Sequence, residues 1–391
     1  MYLQGRHVDL LGPDDITRVV ENKVQESRSL DYKLELNLKL DSDKKEFVVD
    51  VASMANTEGG CFIYGIGETK DEKGQNTGTP DLIAGVVVEN HDKLKQQVED
   101  LIRGNTDPNI SNIGIKFIEV SGKLVLVIGV SRIFGLPVMV TSGGANKFYR
   151  RRNSGKYAVD VYELNQLFMQ NAVWKKSADD FRKERIEKVL RLEVFPNLYA
   201  PYPFFIHIIP FSFQDGPLLD LSQVAGMSVT GKMRPLQLGG YDTMYNLDGF
   251  ATWNGKLKAP FNSYDQLFRN GVYEAYTTDF INEMAFNNGQ KLMAIQGFRF
   301  MGEVQRKIKE ALSVLQEFRV EPPFILMISM LNTRDAVIFM ETLSNWTRPF
   351  LASQIFLPAV VIPTYETAIG AMLKPQFDIL WQCASENQSP I

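Results

Sequence analysis

Two stretches of this chain decide its fold: ESRSLDYK at residues 26–33 and MANTEGGCFIYGIGE at residues 54–68. They place Glu26, Asp31 and Glu68 around the strands of one small α/β unit. Asp31 precedes Lys33 by two residues, so both side chains belong to the polar face of a predicted strand. Acidic groups spaced in this way can converge at the end of a sheet and hold a divalent metal ion. If they do converge, they predict metal-dependent chemistry on phosphate esters.

The segments around these motifs carry clear periodic patterns. Apolar and polar residues alternate from Leu30 to Leu40, which predicts one strand with a buried side. Before it, apolar residues at helical spacing predict a helix that begins near Asp14. After it, a second helix is predicted from about Asp43 to Met54, and ANTEGG ends it because its two glycines permit a tight turn into the strand CFIYGIG.

The remaining segments of the first half alternate between helix and strand patterns. In chain order they are an irregular loop TKDEKGQNTGTP (69–80), a strand DLIAGVVV (81–88), a helix HDKLKQQVEDLIRG (91–104), a hairpin of GIKFIEV and KLVLVIGV across Ser121-Gly122, a strand KFYRRR (147–152) and a closing helix VDVYELNQLFMQ (159–170).

The predicted fold class is α/β (α+β), with three parts. Residues 1–170 form a core domain with helices packed on a mixed sheet, and residues 171–195, rich in charged side chains, form a linker helix. Residues 196–391 form a second mixed, strand-rich domain. Its predicted elements are the strands FFIHII, MRPLQL, YNLDGFATW, GVYEAYT and FILMISM, with a helix from about Gly302 to Phe318 before the last of them.

Composition narrows the functional classes. Only two cysteines occur, Cys61 and Cys383, so neither a disulfide framework nor a cysteine-based zinc site is expected. The low cysteine count favours a cytoplasmic location. No signal peptide is visible, and the apolar runs are too short to span a bilayer. Of the three histidines, His207 lies in the apolar run FFIHIIP and is expected to be a hydrogen-bonded core residue.

A basic segment interrupts a chain whose net charge is −4. Between Val120 and Val159 there are seven Lys or Arg residues and no Asp or Glu. Arg150 and Arg152 are expected on one strand face and Arg151 on the other. This segment is either a solvated edge or a phosphate-binding surface that recognises RNA by shape. The candidate nucleic-acid-binding residues are Lys147, Arg150, Arg151, Arg152 and Lys156.

Three motifs together resemble the Schlafen-type core domain, also known as the AlbA-like DNA-binding or divergent AAA family. They are E-x4-[E/D]-Y-K at residues 26–33, A-N-T-x-G-G at 55–60 with the following Y-G-I-G-E, and the arginine-bearing segment FYRRRNSGKYAVDVYELNQLF at 148–168. The resemblance covers residues 14–170 and looks like that of bacterial members. It implies a metal-dependent endoribonuclease that cleaves tRNA or another structured RNA in anti-phage defence, with a C-terminal domain that senses a phage-derived or other trigger or mediates homodimerisation.

Carried over residue by residue, the resemblance implies that Glu26, Asp31 and Glu68 bind Mg²⁺ or Mn²⁺. Asp31 stands where the family has a second glutamate, and Glu68 stands where it has an aspartate. These changes alter the reach of two carboxylates, and Mg²⁺ geometry is sensitive to reach. Lys33 would stabilise developing charge or orient a phosphate, so the candidate catalytic residues are Glu26, Asp31, Glu68 and Lys33.

Two other interpretations stay open. The three acids could be separate solvated groups, with Lys33 paired to Asp31 or Glu35, in which case the domain binds nucleic acid without catalysis as a regulatory protein. A nucleotide-sensing role has less support. The segment GMSVTGKM (226–233) matches part of a phosphate loop, but Met233 stands where a hydroxyl must contact magnesium. No ATP site is therefore expected.

Overall fold

The computed structural model describes residues 1–110, 113–133, 136–144, 146–153, 155–195, 197–226, 229–236, 240–254, 260–285, 289–340 and 345–390. The chain divides into two compact units, Met1–Lys175 and Lys176–Ile391. Within the described ranges, every helix is too short or too polar to cross a lipid bilayer.

Unit 1 is a mixed α/β unit. Its helices are α1 (Pro13–Glu21), α2 (Asp41–Ala55), α3 (His91–Asn105) and the first half of α4 (Val161–Leu190). Its strands are β1 (Tyr2–Leu3), β2 (Arg6–His7), β3 (Leu30–Lys33), β4 (Gly60–Tyr64), β5 (Ile66–Lys70), β6 (Asn76–Ile83), β7 (Thr106–Asp107), β8 (Ile113–Val120), β9 (Lys123–Val130), β10 (Met139–Val140), β11 (Lys147–Arg152) and β12 (Gly155–Ala158).

The central sheet of unit 1 has the strand order β3-β4-β9-β8, in which β3 and β4 are parallel and the other pairs antiparallel. Strand alternation sends Cys61 and Ile63 of β4 into a core with α1, and Phe62 and Tyr64 into a core with α2 and α3. The register pairs Asp31 with Phe62 and Lys33 with Tyr64. The two polar residues of β3 therefore lie on the α2 side of the sheet.

Unit 1 also contains a two-stranded hairpin and a second four-stranded sheet. Strands β5 and β6 form an antiparallel hairpin, and β12-β11-β10-β7 form a second sheet that carries the KFYRRR strand. The predicted hairpin across Ser121-Gly122 is confirmed, with both residues at positive φ (51° and 76°), a conformation that glycine adopts without strain. The predicted helices α1, α2 and α3 and the strand β11 are also confirmed.

Four sequence predictions about residues 1–195 are wrong. The strand predicted at 81–88 forms only over 81–83, at the end of β6, because the backbone turns at Gly85, whose φ is 82°. The strand predicted to reach Leu40 ends at Lys33, because its parallel partner β4 ends at Tyr64 and leaves the later leucines with no strand to pair. The loop predicted at 69–80 contains most of the β5–β6 hairpin, since polar side chains on an exposed hairpin resemble a loop in sequence. The closing helix and the linker helix are one continuous helix, α4, because no residue in 161–190 breaks it.

Unit 2 is strand-rich, as predicted. Its helices are the second half of α4, α5 (Val229–Lys232), α6 (Gly297–Glu317) and α7 (Ile369–Cys383). Its strands are β13 (Phe204–Pro210), β14 (Tyr241–Tyr245), β15 (Gly249–Asn254), β16 (Ser263–Phe268), β17 (Tyr273–Thr277), β18 (Asn282–Ala285), β19 (Lys291–Gln296), β20 (Phe324–Leu331), β21 (Val337–Met340), β22 (Asn345–Trp346), β23 (Gln354–Phe356) and β24 (Val360–Ile362).

The large sheet of unit 2 is antiparallel, with the order β14-β15-β16-β17-β13-β20-β23 and with β24 also paired to β20. One face buries Phe204 and Ile206 of β13 against α6 and α7, and the other buries Phe205 against the C-terminal half of α4. His207 faces the α4 side, is fully buried and lies 2.9 Å from Glu274, so its predicted hydrogen-bonded core role is confirmed.

The described part of the segment 226–233 contains the last residue of a 3₁₀ helix (Leu221–Gly226) and the short helix α5, and residues 227 and 228 lie outside the described residues. The strand predicted for MRPLQL does not form over its described part, Met233–Leu236. Two of its backbone carbonyls accept hydrogen bonds from side chains instead of a neighbouring strand. Met233 accepts from the Thr252 hydroxyl at 2.6 Å, and Arg234 accepts from the Lys307 ammonium.

Candidate functional site at the edge of strand β3

Glu26 lies beside the outer edge of β3, the terminal strand of the central sheet. Its Oε1 accepts the backbone N–H of Tyr32 at 2.8 Å, and its own backbone N–H donates to the carbonyl of Gly78 in β6, also at 2.8 Å. These bonds satisfy backbone groups that an edge strand would otherwise expose to solvent. They also hold the Glu26 carboxyl between β3 and the β5–β6 hairpin.

Glu68 reaches the same place from strand β5. Its Oε2 accepts the backbone N–H of Gly78 at 2.9 Å, and its Oε1 accepts from the Asn76 side chain at 2.9 Å. Gly78 has φ of 72°, and a Cβ atom built on it would lie 3.3 Å from Cβ of Glu26. A side chain at this position would therefore be strained and would crowd Glu26. Glu26 and Glu68 meet on either side of this glycine.

Asp31 points to the α2 side of the sheet and is 5% exposed. Its Oδ2 accepts from the Arg151 guanidinium at 2.5 Å, and its Oδ1 lies 3.1 Å from the Lys33 ammonium. Arg151 is itself buried, its guanidinium lies 5.5 Å from the Phe62 ring centre, and its backbone N–H donates to the Thr57 hydroxyl at 2.9 Å. Arg151 therefore orients Asp31 from inside the fold.

The carboxyls of Glu26 and Asp31 act on each other. Burial, followed by the neighbouring charge of Asp31, raises the pKa of Glu26 to about 7, and the charge of Glu68 adds to the effect. The N–H of Tyr32 opposes this rise but does not cancel it. Burial would lower the pKa of Lys33, yet the charges of Asp31, Asp50 and Glu26 raise it. The site thus holds an acid that exchanges its proton near neutral pH beside a firmly protonated lysine.

Asp50 of helix α2 extends the network and was missed by the sequence analysis. It is 5% exposed, and the Lys156 ammonium lies 2.7 Å from its Oδ1 and 3.2 Å from Oε1 of Glu46. Burial raises the pKa of Asp50, although Lys156 opposes the rise. An available signal was its position inside the apolar run VVDVA (48–52), where an acid on a buried helix face needs a partner.

The five candidate nucleic-acid-binding residues are in different environments. Arg151 and Lys156 are engaged by Asp31 and by Asp50 with Glu46, as described above. Lys147 and Arg152 are exposed, with the Arg152 guanidinium 4.2 Å from the Tyr157 ring centre, and Arg150 is half-buried. Lys147, Arg150 and Arg152 are therefore the members of this segment placed to reach a ligand from the surface.

Carboxylate oxygens are the donors that Mg²⁺ and Mn²⁺ prefer, and Glu26 and Asp31 fit such an ion by this chemistry. The raised pKa of Glu26 is a second indication, because a nearby cation would relieve the repulsion that causes it. As they stand, no three His, Cys, Asp or Glu side chains in the described part of the chain are grouped closely enough to hold a metal ion. Glu68 is held by Asn76 and Gly78, so a shared site would require it to rotate.

Residues 26–160 match the family described as Schlafen, AlbA_2. This chain therefore contains a Schlafen, AlbA_2 domain, which spans about a third of its length and includes all the proposed site residues. The resemblance inferred from the three motifs is confirmed over these residues. The domain associates the chain with nucleic-acid-related functions.

Solved structures also resemble the chain at a distance. The N-terminal domain of a protein from Nitrosomonas europaea, described as related to the ATP-dependent DNA helicase RecG, is 19% identical; the alignment covers 37% of this chain and 89% of that one, with a TM-score of 0.28. A protein from Corynebacterium diphtheriae is also 19% identical, with 37% and 26% of the two chains covered and a TM-score of 0.25. The search of curated proteins gives no match.

Proposed function

We propose that this protein is a metal-dependent endoribonuclease that cleaves tRNA or another structured RNA. The observation that carries the proposal is the placement of the Glu26 and Asp31 carboxyls beside Lys33, whose ammonium lies 3.1 Å from Oδ1 of Asp31. Carboxyls that repel one another are suited to hold a divalent cation, and a lysine beside them can face a phosphate oxygen.

Each residue of the site then has a distinct role. Glu26, Asp31 and Glu68 would hold Mg²⁺ or Mn²⁺, and the bound ion would supply an activated water and charge neutralisation at the scissile phosphate. Lys33 faces the developing negative charge on the phosphate oxygens, and Arg151 keeps Asp31 in place through their 2.5 Å contact. Lys147, Arg150 and Arg152 contact the backbone of the RNA without reading its sequence.

The C-terminal unit is proposed as the part that regulates this activity, by sensing a trigger of phage or other origin or by homodimerisation. An enzyme that cleaves tRNA harms its own cell unless it is held inactive. The strand-rich unit 2 has its own core and is separate in the chain from the Schlafen, AlbA_2 domain. Anti-phage defence is the biological role that the family resemblance favours for this arrangement.

A second candidate is a nucleic-acid-binding regulator without catalysis. It is favoured by the occupation of the acids, since both oxygens of Asp31 face cationic groups and both oxygens of Glu68 accept protein hydrogen bonds. A cation would have to compete with these partners. In this candidate function, the acidic and basic side chains stabilise the domain by pairing with one another, and the exposed arginines bind the polynucleotide.

Incubation of the full chain with tRNA separates the two candidates. We expect cleavage with Mn²⁺ or Mg²⁺, loss of cleavage with EDTA, and a fall of at least about 100-fold in rate for Glu26→Gln and Asp31→Asn. Glu99→Gln, an exposed acid on α3, is the matched control and should retain wild-type activity. Cleavage that persists in EDTA or in Asp31→Asn would contradict the metal mechanism. RNA binding with no cleavage under any of these conditions would support the second candidate.

A further inference from the structure

A cavity of about 390 Å³ lies between the β1–β2 hairpin and helix α1. Gln4 and Arg6 line it from the hairpin, and Arg18 and Asn22 line it from the side of α1 and its C-cap. The hairpin turns through Gln4 and Gly5, both at positive φ, which brings Arg6 back toward the helix. All the lining residues are described, and none of them belongs to the acidic site formed by Glu26, Asp31 and Glu68.

The lining carries an excess of positive charge. Its one carboxylate, Asp15, lies 3.1 Å from the Arg6 guanidinium and 2.5 Å from the Arg18 guanidinium, both measured to Oδ1. Its other oxygen accepts the backbone N–H of Gly12 at 2.7 Å. Burial opposes the charge of Asp15, but the Gly12 N–H and the two arginines lower its pKa, so it stays ionised. Two guanidinium charges against one carboxylate leave one net positive charge.

The two arginines are prepared to bind an anion. Each guanidinium has five N–H donors, and the shared carboxylate uses only a part of them. The side chains of Arg6 and Arg18 are 50% and 63% exposed, so their remaining donors are accessible. Asp15 is buried beneath them and fixes their positions, which lowers the ordering cost of binding. Planar guanidinium groups match the oxygens of a phosphate, and the amides of Gln4 and Asn22 add further hydrogen-bonding groups.

The cavity is connected to the acidic site through the chain. Val24 lines it and lies two residues before Glu26. The Val24 carbonyl accepts the Tyr32 hydroxyl at 2.6 Å, and the backbone N–H of the same tyrosine holds the Glu26 carboxylate. Tyr32 therefore joins a wall of the cavity to the carboxylate of Glu26. Because Val24 and Glu26 are two residues apart, their Cα atoms lie within about 7 Å of each other.

We propose that the cavity lined by Arg6 and Arg18 binds a backbone phosphate of the RNA substrate, separate from the phosphate that is cleaved. The proposal rests on the proposed function in that the bound phosphate belongs to the same RNA. Its direct consequence concerns binding, which is measured in EDTA, where no cleavage is expected. A result against phosphate binding in the cavity is therefore distinguishable from a result against nuclease activity.

The experiment is fluorescence anisotropy of labelled tRNA with the full chain in EDTA across a range of salt concentrations. We expect Arg6→Gln/Arg18→Gln to weaken binding at least about tenfold at low salt and to reduce the slope of log K against log salt by about 1. Arg28→Gln is the matched control, because its exposed guanidinium pairs with Glu58 outside the cavity, and it should bind like the wild type. Equal affinity and slope for wild type and double variant would overturn the proposal, as would a wild type that binds no RNA.

Two further arms complete the test. If the double variant loses its cooperative thermal transition, Arg6→Lys/Arg18→Lys replaces it. This variant keeps both positive charges but loses the planar guanidinium groups, so RNA binding as tight as that of the wild type would count against the proposal. Competition with AMP identifies the source of the phosphate. We expect AMP to displace tRNA only weakly, since it offers one contact. AMP binding that depends on Arg6 and Arg18 and is unaffected by excess tRNA would instead assign the cavity to a free nucleotide.

Discussion

Among the described residues, each unit has a carboxylate–guanidinium pair with both side chains buried, and the two pairs differ in what surrounds them. In unit 2, Glu274 accepts two hydrogen bonds from Arg185, at 2.9 and 3.2 Å, and another from Tyr264, while His207 lies 2.9 Å from its Oε2. In unit 1, Asp31 and Arg151 are equally buried, but their neighbours Glu26 and Lys33 are partly exposed.

The surroundings decide the protonation behaviour of each pair. Burial alone would raise the pKa of Glu274, yet the charge of Arg185 and the hydrogen bond from His207 hold it far below its usual range. Around Asp31 the second acid has no comparable set of donors, so the pKa of Glu26 rises instead. The unit 2 pair is therefore suited to hold α4 on its sheet. The unit 1 pair leaves acidic and basic groups at the surface, where a ligand can reach them.

The largest expected effect on stability is at the Glu274–Arg185 pair of unit 2, which is sealed from solvent and is called the sealed pair below. Glu274→Gln leaves the Arg185 charge buried without its main partner and should lower the free energy of unfolding of unit 2 by about 3–5 kcal/mol. Glu187→Gln, which lies on α4 with Arg185 but is 66% exposed, should change it by less than about 0.5 kcal/mol. Chemical denaturation followed by the fluorescence of the tryptophans in unit 2 measures both. Similar small losses in the two variants would show that the sealed pair contributes little.

A smaller loss of stability is expected at the Asp31–Arg151 pair of unit 1, whose neighbours are partly exposed. Arg151→Met removes the guanidinium from Asp31, but Lys33 remains 3.1 Å away, so the free energy of unfolding should fall by about 2–3 kcal/mol. Asp31→Leu/Arg151→Met should recover most of this loss, since it removes the unpaired charge as well. Arg152→Met, the exposed neighbour, is the control. If the double variant is less stable than Arg151→Met, the two residues do not act as a pair.

The smallest effect is the pH dependence caused by Glu26. Its pKa is about 7 in the folded protein against an ordinary 4.5, so the folded state binds the proton more tightly than the unfolded chain. Its contribution to stability is fully present below the ordinary value and is lost as the pH rises through about 7. After allowance for solvent screening, Glu26→Gln should be more stable than the wild type at about pH 8 by roughly 1 kcal/mol.

The check is thermal unfolding of wild type and Glu26→Gln from about pH 5 to pH 8. The difference between the two melting temperatures should grow with pH. Glu99→Gln serves again as the control and should follow the wild type at each pH. Parallel curves for wild type and Glu26→Gln would mean that the carboxyl of Glu26 titrates normally.

Much of the fold follows from local sequence patterns. Helices α1, α2 and α3 carry apolar residues at helical spacing, and β8 and β9 are joined by Ser121-Gly122, which can adopt positive φ. The strand pattern at Leu30–Leu40 failed beyond Lys33 because a strand also needs a partner, and β4 supplies one over only four residues. The β5–β6 hairpin was missed for a related reason, since its residues are too polar to give a strand pattern.

The candidate site was predictable in part. The motifs identified Glu26, Asp31 and Glu68, which the family match covers, but not Gly78, which stands between two of these acids. Arg151 was assigned to the nucleic-acid surface with its neighbours, and Asp50 was not assigned at all. Both depend on contacts between distant segments, such as the Arg151–Asp31 contact across 120 residues of chain.

The sequence by itself determined the Schlafen, AlbA_2 domain, the strand-rich second half and the identity of the acids, because these depend on residue type and on spacing along the chain. Only the tertiary structure decided which charges are buried together and which remain at the surface. The physical reason is that a carboxylate's pKa and its partners are set by burial and by neighbours in space. Those neighbours are brought to Asp31 and Glu26 by β11 and β6, which no local pattern around residues 26–33 encodes.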